Sequence, residues 1–205
     1  QAERCKAVMP PMALHGDDAP CVVRGEGCWL YTEDGRKILD FASGIACNAL
    51  GHCHPKVVAA AEKQLHTLIH AGHNVLYYEP YTTLAEKLVE KTGGKYKIYF
   101  SNSGAEANEG CMKLAKYVTH RPVIISMMNG FHGRTMATAT ITTSNAGDRK
   151  DYEPMMPSVY QVEYPYLYRT PYKMEDGKCP KEYMTQFDNL FKHVVDPSMV
   201  AGIIM

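Results

Sequence analysis

The sequence predicts an α/β protein built around a mainly parallel sheet, and three features carry that expectation. A strand–helix–strand pattern runs from KIYFS at 97–101 through a helical segment to VIISM at 123–127, and such units imply parallel strands joined by a crossover. The run VAGIIM at 200–205 has the continuous apolar character of a strand buried on both faces. Short alternating segments between residues 21 and 42 form a separate antiparallel layer.

In that first layer CVV, CWLYT and RKILDFA are separated by Gly25-Glu26-Gly27 and by Asp34-Gly35. The Asp-Gly pair is a hairpin cue because both residues tolerate positive φ. From Pro55 the period becomes helical, with Val57, Val58, Ala61, Leu65, Leu68 and Ile69 on one face and the proline suited to a first turn. A second helix from about Pro80 carries Leu84, Ala85, Leu88 and Val89, and Gly93-Gly94 stops it. A third is expected from about Gly104 to Val118. TATIT at 138–142 fits strand or helix equally, whereas SVYQVEY at 158–164 is expected to be a strand. Residues 165–180, with several prolines and tyrosines, are expected to form a loop excursion. A helix over 181–195 follows, with Tyr183, Phe187, Leu190, Phe191 and Val194 on one face.

Composition narrows the class. The 205 residues correspond to about 1.4 domains at ordinary domain size. With 45% hydrophobic and 21% charged residues and no long apolar run, the chain fits neither a disordered segment nor a membrane span. Lys+Arg 22 balances Asp+Glu 22, so no broad positive field draws nucleic acid or an anionic bilayer. Seven scattered cysteines, an odd number, fit reduced thiols better than a stapled scaffold. The N-terminal stretch lacks the apolar core of a secretory signal, and a cytosolic protein is expected.

Three motifs could carry chemistry. Ser101-Asn102-Ser103-Gly104-Ala105-Glu106-Ala107-Asn108 sits at a strand-to-helix junction, where free N–H groups and the helix dipole favour a phosphate. The same residues also read as a capping box in which Ser103 and Glu106 satisfy each other's backbone donors. Both can hold together. Gly130-Phe131-His132-Gly133-Arg134-Thr135 follows VIISM at the carboxyl edge of the expected sheet, where ligands of open α/β sheets collect. An aromatic face beside a guanidinium suits a flat ring and a carboxylate or phosphate; the alternative is a core Phe131 and a surface ion pair for Arg134. Gly51-His52-Cys53-His54-Pro55 with His66, His70 and His73 has zinc-binding residue types but no standard zinc spacing, so no metal site is assigned. Walker, dinucleotide-glycine and nucleophile-elbow patterns are absent.

The ordered blocks at 40–70, 74–91, 99–121 and 130–135 closely resemble the first half of the class III pyridoxal-phosphate aminotransferases, most closely their 4-aminobutyrate aminotransferase group. The resemblance implies a fold type I enzyme. Residues 1–54 would belong to its small domain, and residues 55–205 would form the first part of the large cofactor-binding domain. Carried over residue by residue, it places the phosphate of pyridoxal 5'-phosphate at Ser103, Gly104 and Ala105. Phe131 would stack on the ring with His132 beside it. Arg134 would bind the substrate carboxylate, and Ile45 would line the pocket. It implies transfer of an amino group from an ω-amino acid or amine to 2-oxoglutarate through a cofactor Schiff base, in a homodimer or higher homo-oligomer.

Ornithine, acetylornithine and putrescine aminotransferases share these blocks and are the rival readings. The family's Schiff-base lysine has no counterpart among residues 1–205, so a free polypeptide of this length is expected not to transaminate. VAGIIM ends the sequence on a strand without a covering helix. That is expected of a longer gene product given only in part; the alternative is a natural non-catalytic module that dimerises.

Overall fold

The computed structural model describes residues 2–9, 19–174 and 177–205. The chain folds as two compact units, Gln1–Glu86 and Lys87–Met205.

In the first unit a short helix α1 (Ala2–Val8) precedes three strands, β1 (Val22–Glu26), β2 (Trp29–Thr32) and β3 (Lys37–Leu39). They pair antiparallel in the order β1-β2-β3, with the Asp34-Gly35 turn joining the last two, as the alternation predicts. A single turn, α2 (Ser43–Ala46), follows, and then α3 (Pro55–Thr67) starts on the expected proline. Leu68, extended at φ −164 and ψ 121, ends α3, so Ile69 lies beyond the helix it was expected to extend. Helix α4 (Glu79–Lys91) runs on from the first unit into the second and closes against Gly93 and Gly94, whose N–H groups bond back to Glu90 O and Val89 O at 3.0 and 2.9 Å.

The second unit centres on β4 (Val123–Met127), all five of whose residues are buried. It pairs in parallel with β5 (Val159–Val162) on one side and β6 (Val200–Ile204) on the other. The two-residue period of a strand sends its side chains into two cores. Val123, Ile125 and Met127 meet Val162, Val195, Phe187, Leu190 and Phe191 from the side of α7 (Glu182–His193). Ile124 meets Met112 of α5 (Gly104–Thr119) and Ile141 of α6 (Met136–Ile141) on the opposite side. A strand covered on both faces explains the unbroken apolar run in the sequence.

Four expectations change. TATIT resolves as α6 and its end, because Thr135 and Thr138 form a reciprocal capping box that starts a helix there. Residues 97–101 do not join the sheet. They keep strand-like alternation, with Ile98 and Phe100 half-buried between exposed neighbours, but no described backbone stands beside them to complete a ladder. The strand–helix–strand unit therefore lacks its first strand. Strand β5 is shorter than SVYQVEY. Helix α7 ends at His193 and the chain turns, so Val194, at 61% exposed, faces out and Val195 beyond the helix, at 4%, takes the core position. In the excursion over 165–180 a 3-10 turn at Leu167–Arg169 is the regular element, and Glu175 and Asp176 lie outside the described residues.

Ile125 is fully buried in the centre of β4. Ile125→Ala is expected to destabilise the complete gene product by about 2–5 kcal/mol, the cost of lost transfer energy plus a cavity, as measured by denaturant unfolding.

Candidate active site

The site is built from the amino end of α5. Ser103 is extended at φ −155 and ψ 163, so its hydroxyl turns back and accepts from Glu106 N at 3.1 Å. The Glu106 carboxylate accepts from Asn102 N at 2.5 Å. The expected box is thus half reciprocal: its return arm reaches Asn102, one residue before the cap. The N–H groups of Gly104 and Ala105 have no acceptor among the described residues. A Cβ added to Gly104 would meet nothing within 4 Å. Open space, two uncommitted donors and the positive end of a four-turn helix form an anion cradle.

The loop between β4 and α6 carries the second motif. Phe131 is half-exposed, and the Arg134 guanidinium carbon lies 5.1 Å from its ring centroid. No carboxylate among the described residues forms an ion pair with Arg134. The backbone of this loop is tied down on both sides. Thr142 Oγ1 accepts from His132 N at 3.0 Å, and Asn108 Nδ2 donates to His132 O at 2.8 Å. The His132 ring is partly buried with Nε2 unpartnered, lying where a side chain on Gly130 would be. Burial pushes its pKa below the ordinary value, which favours the neutral imidazole.

Gly133 joins the two motifs. At φ +138 it occupies backbone space that L side chains rarely adopt, and an added Cβ would lie 2.6 Å from the Ala105 Cβ. Only a residue without a side chain lets the loop rest directly on the first turn of α5. The segment with Ser103, Gly104 and Ala105 and the loop with Phe131, His132 and Arg134 therefore meet at Gly133 within the second unit. The sequence pattern had separated them by some twenty-five positions, and neither the Gly133 contact nor the Asn108 bond could be foreseen from spacing.

Ile45 lies in the first unit, 90% exposed on a turn where Ser43, Gly44, Ile45 and Ala46 all have φ between 47 and 61. Four successive left-handed residues are unfavourable without outside support. Asp40 supplies it: Oδ1 accepts from Ala42 N and Ser43 N at 2.9 and 2.8 Å, and Oδ2 pairs with His52 Nε2 at 2.7 Å. His52 is in turn held to the hairpin by paired backbone bonds with Gly27 at 3.0 and 2.7 Å. The motif histidine is thus used in a structural pair. Elsewhere, His73 stacks on Tyr81 with centroids 3.6 Å apart. Among the described residues no group of three or more His, Cys, Asp or Glu is placed to hold a metal ion.

A cavity of about 690 Å³ runs along α5 from Ser101, Asn102 and Glu106 at its start to Cys111, Leu114 and Tyr117. It excludes Gly104, Phe131 and Arg134 and marks the open flank of residues 97–101 rather than the cradle.

The architecture is that of the fold type I aminotransferases. Superposition on the taurine:2-oxoglutarate aminotransferase of Bifidobacterium kashiwanohense, solved with pyridoxal phosphate and glutamate, gives a TM-score of 0.85 over 98% of this chain and 46% of that one, at 23% identity, a likeness of fold. The sequence matches the family "Aminotransferase class-III" over residues 13–205, and the chain belongs to that family. It is 41% identical over 185 residues to a probable 4-aminobutyrate aminotransferase of Bacillus subtilis, covering 89% of this chain and 42% of the relative. It is 45% identical over 143 residues to the acetylornithine aminotransferase of Streptomyces coelicolor, covering 70% of this chain and 35% of the relative. The chain thus spans about two-fifths of the length of these relatives. Among the described residues no helix is long and apolar enough to cross a membrane.

Asp40 gives the pH prediction. Its hydrogen bonds to His52, Ser43 and Ala42 hold its carboxyl below the ordinary 3.8. A lowered folded pKa stabilises the fold above the unfolded pKa, and that contribution is lost as pH falls through the folded value. The stability gap between wild type and Asp40→Asn should therefore be full above about pH 5 and shrink below about pH 4. Thermal melts of both proteins across that range check this; a gap independent of pH would refute it.

Proposed function

We propose that the complete gene product is a pyridoxal-phosphate-dependent aminotransferase that moves an amino group from a 4-aminobutyrate-like ω-amino acid or amine to 2-oxoglutarate. One observation carries this reading above the others: Gly133 rests the loop that bears Phe131 and Arg134 on a helix start whose first two N–H groups have no acceptor among the described residues. The residues fit the cofactor. Ser103, Gly104 and Ala105 would receive its phosphate, and the half-exposed face of Phe131 would support its ring, with His132 beside it. A neutral His132 adds no competing positive charge there. When bound, the cofactor supplies an electron sink that the twenty side chains lack.

The chain's own residues then bind and orient. The helix start fixes one end of the cofactor by charge and hydrogen bonding. Arg134 offers a planar fork to a substrate carboxylate, and exchange of its weak contact with Phe131 for a charge-assisted pair favours binding. Ile45 would add an apolar wall to the pocket. The lysine that the chemistry requires is assigned to none of residues 1–205. We place residues 1–54 in the small domain and 55–205 in the large one, and read the enzyme as a cytoplasmic homodimer. Exposed Phe41, Ile45 and Leu50 are the kind of surface a subunit contact covers.

Acetylornithine aminotransferase is the second reading, favoured by the 45% identity to the Streptomyces enzyme. Ornithine and putrescine as donors, or a non-catalytic dimerising role, are weaker alternatives. Screening amine donors against the complete gene product, with pyridoxamine phosphate formation followed by absorbance, separates them. No absorbance change with any donor would sink the enzyme reading.

Gly104 gives a clean structural test because a side chain there meets no protein atom. Gly104→Val is expected to leave folding stability within about 0.5 kcal/mol or slightly improved, since glycine is itself a poor helix residue. Cofactor affinity, titrated by fluorescence, should fall tenfold or more. Unchanged affinity would place the phosphate elsewhere. Arg134→Ala is expected to raise KM for 4-aminobutyrate about tenfold or more, the scale of a lost charge-assisted bond, and to alter KM for a diamine little. Equal losses for both donors would assign Arg134 another task.

A further inference from the structure

Helix α5 does more than present its amino end. Ala105, Asn108, Glu109 and Met112 lie at i, i+3, i+4 and i+7, on one face, and each meets a different part of the β4–α6 region. Ala105 lies under Gly133. Asn108 Nδ2 donates to His132 O at 2.8 Å. Glu109 Oε1 accepts from Thr135 Oγ1 at 2.6 Å. Met112 is buried with Ile124 and Ile141. Residues on either side of Arg134 are therefore fixed to the cradle helix, whereas among the described residues Arg134 has its ring contact with Phe131 and no ion pair.

The Glu109–Thr135 bond sets the direction of a small network. An ionised carboxylate can only accept, so the single Thr135 hydroxyl proton is committed to Glu109. The same oxygen is then left to accept, from Thr138 N and from Thr138 Oγ1, 2.7 Å away, whose proton also reaches Thr135 O at 3.3 Å, while Thr138 Oγ1 accepts from Thr135 N at 3.0 Å. The two bonds from backbone N–H groups to these hydroxyl oxygens are the capping box that starts α6. Without Glu109 the Thr135 hydroxyl can rotate and donate to Thr138 instead, and the cap loses its single arrangement. Glu109 also stays engaged with a neutral hydroxyl and forms no ion pair with Arg134.

We propose that Glu109, acting through Thr135, is a positioning residue that holds Arg134 at a fixed place relative to the α5 cradle, so that affinity for a substrate carboxylate depends on a side chain that does not touch substrate. This rests on the aminotransferase reading for its kinetic arm only. The test uses the complete gene product with Glu109→Ala, Glu109→Gln, Thr135→Val and the Ala/Val double variant. Hydrogen exchange of amides 132–136 is followed in cofactor-free protein, together with KM for 4-aminobutyrate and for butane-1,4-diamine and with cofactor affinity.

Glu109→Ala and Thr135→Val are each expected to speed exchange in 132–136 and to raise KM for the carboxylate donor about tenfold, the scale of a hydrogen bond to a charged group. The diamine KM and the cofactor affinity should move less than about threefold by the same reasoning, since neither contact is made by the 134 side chain. The double variant should be no worse than the more impaired single one, and Glu109→Gln, which retains an acceptor oxygen, should recover most of the loss. Multiplying effects in the double variant, equal losses for diamine and carboxylate, or a Gln variant as impaired as Ala would each overturn the proposal. If the wild type binds no cofactor, the functional reading fails, and the exchange data still decide the clamp by the same non-additivity.

Discussion

The site depends on one missing side chain. At Gly133 the backbone of the loop after β4 lies directly on Ala105, and this contact turns two separate features into one place. The helix start alone is a weak anion site, as many helices begin with uncommitted donors. The loop alone is an exposed ring with an arginine over it. Brought within touching distance, they offer complementary chemistry for the two ends of a single flat, phosphorylated molecule. Any residue with a Cβ at 133 would separate them and would also strain a backbone at φ +138.

A fixed contact of this kind needs a rigid base, and the burial of β4 supplies it. Both faces of the strand are packed, by α7 on one side and by α5 and α6 on the other. The helix carrying the cradle and the strand leading into the loop therefore share one core, with Met112 and Ile124 in the same cluster. Polar groups continue that connection outward. Asn108, Thr138 and Thr142 satisfy the loop's backbone groups, and Glu109 accepts from the Thr135 hydroxyl. Buried threonines, 0 to 2% exposed at 138, 140 and 142, pack like valines while each hydroxyl finds a partner, so the polarity carries no desolvation penalty. The exception is Ser126, whose hydroxyl is buried in β4 without a partner; the structure offers no account of it.

Much of this was legible in the residues. Local signals are complete at Pro55, at Asp34-Gly35, at Gly93-Gly94 and in the VIISM run, and each predicted element is present there. Prediction failed where the deciding interaction is non-local. Residues 97–101 have a strand's alternation, but a strand exists only if a neighbour pairs with it, and that is not written in the segment itself. TATIT became a helix because Thr135, three residues upstream, caps it. The candidate site residues were recognisable as a ring, a guanidinium and a helix start. Their adjacency was not, since it rests on a glycine whose neighbour lies twenty-eight positions earlier. His52 shows the converse: its residue type suggested a metal ligand, and its geometry pairs it with Asp40.

The two units solve the same problem by different means. Each holds a short loop in a conformation the backbone does not favour: four left-handed residues around Ile45, and the extended, glycine-dependent path through Arg134. In the first unit a carboxylate, Asp40, gathers the N–H groups at the start of the turn and is itself held by His52. In the second, a carboxylate on a neighbouring helix, Glu109, orders a hydroxyl that caps the next helix. Both acids spend their acceptors on backbone geometry, directly or through a threonine, and neither pairs with Arg134. In the second unit the acid bonded to Thr135 is engaged with a neutral hydroxyl, so the neighbouring Arg134 guanidinium keeps its charge uncancelled among the described residues.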